Sequence, residues 1–452
     1  MNKLTEESIL SLVSKLKSKE IFPDDIMAEC QANIIKFNPK INAFITEVKP
    51  EIKGIGGLLL GIPYALKDSY VTKGIKTTVG SRILADYIPQ YSATVVEKLN
   101  NNGALLLGKT NIDAWGHGAS TENTDFGIVH NPWDLSRVAG GSGGGLAAAI
   151  ASRMCLFGIG EDTGGSIRNP AGWCNITALK VTYGRVSRYG CVAYASSLDT
   201  VGPTAKTAED CAVVLQIIAG RDPFDATSSN HEVSDYVGGL RKDIKNIKIG
   251  IPKEFMAGEL ILAAAKEFEK MGTTVVEVSL PSLKYAVAAY YLIAPSETSS
   301  NLARYDGIRY GKDRSNFTFE SVRRIMIGTY ALSAGYYDEY YKKAQKVRSL
   351  IINDYKKIFE TCDVVLAPIS SESATKPGEL LDDPVKNMMA DVYTVTTNIA
   401  GIPSLALPCG FTQDGLPVGM QLQGKMFSED LLLRLGYHYQ QVSDWHKKIP
   451  DL

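Results

Sequence analysis

Apolar residues recur along the chain in two rhythms. At the start, Ile9, Leu10, Leu12, Val13 and Leu16 fall at helical spacing with polar and charged residues between them, which predicts an amphipathic helix. Short apolar runs bounded by glycine or a turn, such as GLLLGIPYAL and ALLLGK, predict buried strands. The alanine-rich GLAAAIASRM predicts a helix. Near residue 246, NIKIGIPKEF reads as a strand, ELILAAAKEFEKMG as a helix and TTVVEVSLP as a second strand, together a βαβ unit. Residues 285–360 are rich in Tyr, Lys and Arg and read as mostly helical, after which DVVLAP and PSLALPCGF return to strand. The pattern predicts one large α/β domain over residues 1–452, with a core at about 55–225 and a late helical excursion at about 285–360.

Composition narrows the class. Hydrophobic residues make up 45% and charged residues 21% of the 452, as in ordinary soluble domains. With 48 Lys and Arg against 49 Asp and Glu, no net field exists to gather nucleic acid. Seven cysteines are scattered without CxxC spacing, which fits reduced thiols in a cytoplasmic protein. The longest apolar stretch, LAAAIASRMCLFGIG, is cut by Arg153. The N-terminus lacks the uninterrupted apolar core of a signal peptide. A soluble, cytoplasmic protein without membrane contact is expected.

Two motif matches are accidental on this reading. GALLLGKT satisfies the phosphate-loop pattern, but its leucines read as a strand whose ladder would hide the amides that cradle phosphate. GGSGG satisfies the nucleophile-elbow pattern, yet the preceding NPWDLSRVA is no strand and the histidines downstream sit in polar segments.

Chemistry gathers in three other segments. GIPYALKDSYVTKG places Lys67 at the end of an apolar strand, NPWDLSRVAGGSGGG presents Ser142 among glycines before a helix, and GEDTGGSIRNP sets Ser166 behind two glycines. A serine in such a glycine nest looks like a nucleophile and needs a base, yet none of the five histidines lies near Ser166 in sequence. These segments resemble the amidase signature family, whose catalytic group is Ser–Ser–Lys without histidine. The resemblance runs over nearly the whole chain. It implies an α/β fold with a large twisted mixed sheet flanked by helices on both faces.

It further implies Ser166 as nucleophile, Ser142 as hydroxyl relay and Lys67 as ultimate base. Lys67 would then have to be largely neutral near pH 7, at a cost of about 4 kcal/mol that full burial can supply. Asp68 would oppose this, but neighbouring strand residues point to opposite faces. Amides of Thr163, Gly164, Gly165 and Ser166 would form an oxyanion hole, the Gly141–Ser142 peptide would be cis, and Asp162 with Arg168 would be an ion pair holding the loop.

Within the family, GKTNIDAWGHGASTENTDFG, YGRVSRYGCVAYASSLDTVGP, GYYDEYYKKAQKVRSLI and TNIAGIPSLALPCGF are most similar to the glutamine-hydrolysing subunits of tRNA-dependent amidotransferases. That likeness implies glutamine as substrate, with Arg348 on its carboxylate, Asp391 on its ammonium and Tyr310 as a further contact. It implies partner B and C subunits, the B subunit using ATP and Mg2+ on a mischarged tRNA, and no cofactor or metal in this chain. The alternative is a stand-alone amidase for small or aryl amides. Departures from the family pattern are Gly143 and Gly145 where serine is usual, Glu161 at a place often held by serine, Asn169 for glutamine, and two shortened segments.

Overall fold

The computed structural model describes residues 3–50, 56–309 and 311–452. Among these residues the strands are, in chain order, β1 (Phe44–Glu47), β2 (Pro63–Lys67), β3 (Leu105–Thr110), β4 (His130–Asn131), β5 (Asp134–Val138), β6 (Phe157–Asp162), β7 (Thr177–Lys180), β8 (Thr200–Ala205), β9 (Lys248–Pro252), β10 (Thr274–Val278), β11 (Val364–Pro368), β12 (Ser404–Phe411) and β13 (Pro417–Gly424). Eleven form one sheet in the order β1-β3-β2-β6-β8-β7-β12-β13-β11-β9-β10, and β4 with β5 makes a separate hairpin. The runs β3-β2-β6 and β11-β9-β10 are parallel, and the other neighbours are antiparallel. The sheet is therefore mixed, as expected.

Parallel strands are covered on both faces, so their sequences stay apolar throughout. β11 shows how the faces divide. Its Val364 and Leu366 pack with Phe268 and Leu432 on one side, while Val365 and Ala367 pack with Ile293, Ile351 and Val395 on the other. Alternation along a strand sends successive side chains to opposite faces, and here each face meets its own helices. The βαβ unit read near residue 246 is β9, the helix Glu259–Lys270 and β10, with Val275 opposite Ile249 in parallel register. The excursion contains the helices Leu283–Asn301, Phe319–Leu332 and Lys343–Thr361.

Two strand expectations need correction. NPWDLSRVA, read as no strand, carries β5 over Asp134–Val138, paired with β4, and GLLLGIPYAL is too long. In GLLLGIPYAL only the part from Pro63 is strand; Leu58 is exposed and Leu60 has φ +47. The leucines there form a turn, because a left-handed residue cannot continue a ladder. GALLLGKT is strand rather than phosphate loop. Lys109 is buried 2.9 Å from Asp68 Oδ1 and donates to Tyr70 O and Thr77 Oγ1. No helix among the described residues is long and apolar enough to cross a membrane.

Candidate active site

β2 and β6 are parallel neighbours, so Lys67 and Asp162 close their strands at the same edge of the sheet. Ligand sites of α/β sheets lie beyond such carboxyl ends. Past β6, the loop 163–167 carries Ser166 and leads into the helix Arg168–Cys174. Ser142 lies between β5 and the helix Gly144–Ala151. Its segment is pulled inward: Asp113 N donates to Ser142 O at 3.2 Å, Thr121 Oγ1 donates to Gly140 O at 2.7 Å, and Gly143 N donates to Ser166 O at 2.9 Å. A Cβ at Gly141 would collide with Asp113 Oδ2 and with Ser120 N, so only glycine fits. The Gly141–Ser142 peptide is cis.

Lys67 and Ser142 are wholly buried, and Lys67 Nζ lies 2.8 Å from Ser142 Oγ. Ser166 keeps 7% of its surface open and is the one member of the three that is not wholly closed to solvent. The Gly143–Ser166 backbone bond ties the two serine segments together. Asp68, next to Lys67, faces away as strand alternation requires. It pairs with Lys109 and accepts from Thr78 N and Val79 N.

The Ser166 loop hangs on an ion pair. Arg168 and Asp162 are fully buried and bonded twice, Nε to Oδ2 and Nη2 to Oδ1, each at 3.0 Å. Burial alone would push the Asp162 carboxyl up, but the Arg168 charge and hydrogen bonds outweigh it and hold it at about 2. The same carboxylate accepts the Gly165 amide at 2.9 Å and the Ile167 amide at 3.3 Å. Gly165 has φ +138, and a Cβ there would strike Thr394. One expectation is thereby corrected. The Gly165 amide points at Asp162 and is committed, which leaves Thr163, Gly164 and Ser166 from the expected set of oxyanion donors.

The expected substrate residues divide. Asp391 is buried beside this loop: Thr394 Oγ1 donates both to Asp391 O and to Gly164 O. Tyr291 Oη donates to Asp391 Oδ2 at 3.0 Å. Burial pushes the Asp391 carboxyl up to about 7 against the pull of Arg324. Arg348 is half-buried on the helix Lys343–Thr361 and donates to Ser197 Oγ at 2.9 Å and Ser197 O at 3.2 Å. It bonds to none of Asp391, Ser142 and Ser166. Ser197 in turn donates to Glu297, on the helix that also carries Tyr291. Tyr310 lies outside the described residues.

Three residues of this region escape sequence reasoning. Glu161 carries its carboxyl to 2.9 Å from Lys67 Nζ, although in sequence it stands out only as a departure from the family pattern. Asp199 accepts from Thr163 Oγ1 at 2.6 Å, and nothing in SSLDT marks it. Arg324 is buried, donating to Glu320 Oε1 and Tyr194 Oη with its guanidinium over the Tyr291 ring. In sequence it looks like any charge on an amphipathic helix. Among the described residues no group of His, Cys, Asp and Glu is placed to hold a metal ion.

A buried amine against one serine, with a second serine on an amide-rich loop, defines a class of hydrolytic site, and comparison with known proteins agrees. The amidase family model matches residues 25–433, and the chain belongs to that family. It is 48% identical over 99% of its length to the whole of a protein from Desulfatibacillum aliphaticivorans, named as the A subunit of glutamyl-tRNA(Gln) amidotransferase. It is 46% identical, with the same coverage, to a protein of that name from Sulfurihydrogenibium. The first alignment spans 483 positions against 452 residues here, so that relative carries residues this chain lacks. The crystal structure of the corresponding A subunit from Thermotoga maritima superposes with a TM-score of 0.88 at 38% identity, over 100% of this chain and 98% of the other. A bacterial aryl acylamidase of the amidase signature family gives 0.86 at 25%, covering 98% and 97%.

Proposed function

We propose that this chain is the glutamine-hydrolysing subunit of a tRNA-dependent amidotransferase. The observation that carries the chemistry is the dry contact of 2.8 Å between Lys67 Nζ and Ser142 Oγ beside the Ser166 loop. Ser166 Oγ attacks the side-chain amide carbon of glutamine and passes its proton through Ser142 to Lys67. The carbonyl oxygen becomes an oxyanion received by the amides of Thr163, Gly164 and Ser166, each such donor contributing about 3 kcal/mol. The C–N bond breaks as the proton returns to the departing nitrogen, and ammonia leaves. Water then cleaves the glutamyl ester by the same relay, releasing glutamate and restoring Ser166.

Asp391 receives the ammonium of glutamine and Arg348 its carboxylate, a planar fork suited to that partner. Ammonia passes to a B subunit that activates Glu-tRNA(Gln) or Asp-tRNA(Asn) with ATP and Mg2+, and a C subunit holds the two together. Two kinds of support meet here: the geometry of the site, and relatives of that name matched over their whole length. The test is ammonia release from glutamine by the chain alone and co-expressed with B and C subunits. Partners should raise release strongly and Ser166→Ala should abolish it. Brisk aryl-amide cleavage by the isolated chain, with glutamine untouched even in the presence of partners, would overturn the proposal in favour of a stand-alone amidase.

A further inference from the structure

We propose that Glu161 is a positioning residue for the amine of Lys67: its carboxylate, 2.9 Å from Nζ, holds the nitrogen against Ser142 and balances the ammonium that forms when the amine takes a proton. The inference rests on the reading of Lys67 as base given above. Three oxygens surround Lys67 Nζ: Ser142 Oγ at 2.8 Å, Glu161 O at 3.0 Å and Glu161 Oε2 at 2.9 Å. A neutral amine has two N–H groups and one lone pair. One N–H is held by the Glu161 carbonyl, which with the carboxylate oxygen 2.9 Å away keeps the nitrogen beside Ser142, where its lone pair can face the hydroxyl. A protonated amine has three donors and no lone pair, so it can only donate to Ser142 and cannot receive a proton. One arrangement of atoms thus serves both the competent and the resting form. The proton content of the site selects between them.

Glu161 is not isolated. Its Oε1 accepts from Thr163 Oγ1 at 3.2 Å, and the same hydroxyl lies 2.6 Å from Asp199 Oδ1, so one proton serves two acids. Asp199 is further held by the amides of Tyr194 and Ala195, each at 3.0 Å. Burial, followed by the Glu161 charge, pushes Asp199 up to about 7. The other titratable groups facing Glu161 are Tyr70 and Cys191, both driven well above their ordinary values, by burial first, and hence neutral. Arg188 acts on the Asp199 side. Lys67 is therefore the basic group that Glu161 touches. As Ser166 attacks, its proton reaches Lys67 through Ser142, and the Glu161 carboxylate balances the new ammonium until the proton moves on to the leaving nitrogen. No proton is gained or lost over the cycle.

The test is the pH profile of kcat for glutamine hydrolysis by the complex with partner subunits, comparing wild type with Glu161→Gln and Glu161→Ser. Removing the carboxylate disfavours the ammonium, so the acidic limb should move to lower pH by at least about one unit, with the KM for glutamine within about twofold. The two replacements differ in shape and share neutrality, so a shift common to both belongs to charge. If only one folds, as judged by its thermal midpoint, that one decides. A uniform loss of kcat with the limb unmoved, or a limb displaced upward, would overturn the inference. Failure here is distinguishable from failure of the base reading: an active Lys67→Ala sinks the latter, while an inactive Lys67→Ala together with an unmoved limb in the Glu161 variants sinks only the role of Glu161.

Discussion

Asp391 is a carboxyl group that the fold alone keeps close to neutrality. It is buried, bonded to Tyr291 Oη, and raised to about 7 despite Arg324. An acid poised there is ionised by the arrival of a cation, which is what an ammonium anchor requires. Because the carboxyl is neutral below about 7, binding of glutamine should weaken as the pH falls. We expect kcat/KM for glutamine to drop below that value more steeply than kcat/KM for a small neutral amide, which brings no ammonium. Parallel profiles for the two substrates would remove Asp391 from the binding role. Arg348, held at Ser197, which is itself bonded to Glu297 of the helix Leu283–Asn301, should behave as a pure substrate anchor. Arg348→Ala is expected to raise the KM for glutamine by at least about tenfold, the loss of one charged hydrogen-bonding partner, with the neutral amide spared. Equal losses on both substrates would mean that the guanidinium supports the fold instead.

The loop from Asp162 to Arg168 is the element on which the site depends. Its two ends are one bidentate ion pair, and Arg168 reaches further to Thr397 Oγ1, Gln421 Oε1 and Asn398 Oδ1. The pair thereby clamps the loop to β13 and to the helix Val395–Ala400. Removing one member of a buried pair strands the other charge, at about 3 to 5 kcal/mol. Arg168→Ala should therefore lower the unfolding free energy by that amount in urea titrations, and a change below about 1 kcal/mol would contradict the clamp. The pH dependence has a definite sign. The folded Asp162 sits at about 2, below the ordinary 3.8, so its contribution is complete above about 4 and is lost as the pH falls from 4 toward 2. Arg168→Ala should flatten that part of the stability profile. The pairing of Asp162 with Arg168 was legible because both ends belong to one short motif, as were the glycine-flanked serines and the strand-end lysine. The contact of Lys67 with Glu161 was not, since it depends on β2 lying beside β6, and register between residues 94 positions apart leaves no local mark. Arg324 was hidden for a related reason: helical periodicity places a charge on a face, but the ring of Tyr194, Tyr290 and Tyr291 that buries it is assembled by tertiary packing.

At the scale of the molecule, the sheet is a wall between two cores. Apolar periodicity revealed its strands and the βαβ unit near residue 246 well, because buried parallel strands are written as unbroken apolar runs. It misjudged GLLLG, where leucines occupy a turn, and it could not order eleven strands. It places the helical excursion within the one domain, and we infer that the excursion does not stand apart. Ile293, Ile351, Tyr355 and Ile358 share one core with Val365 and Ala367 of β11, and Tyr355 Oη donates to Gln423 Oε1 of β13. Val364 and Leu366 of the same strand belong to the opposite core. Melting the excursion would strip one face of β11 and with it the neighbours that hold β9 and β13, so separate unfolding is disfavoured. Ile351→Ala, which opens a cavity in that shared core, should cost about 2 to 5 kcal/mol. Its effect should be felt everywhere: a single calorimetric transition is displaced as a whole, and a fluorescence signal from Trp173, on the helix after the Ser166 loop, shifts with the far-UV signal. A trace with two steps, of which the substitution moves only one, would make residues 285–360 a unit of their own.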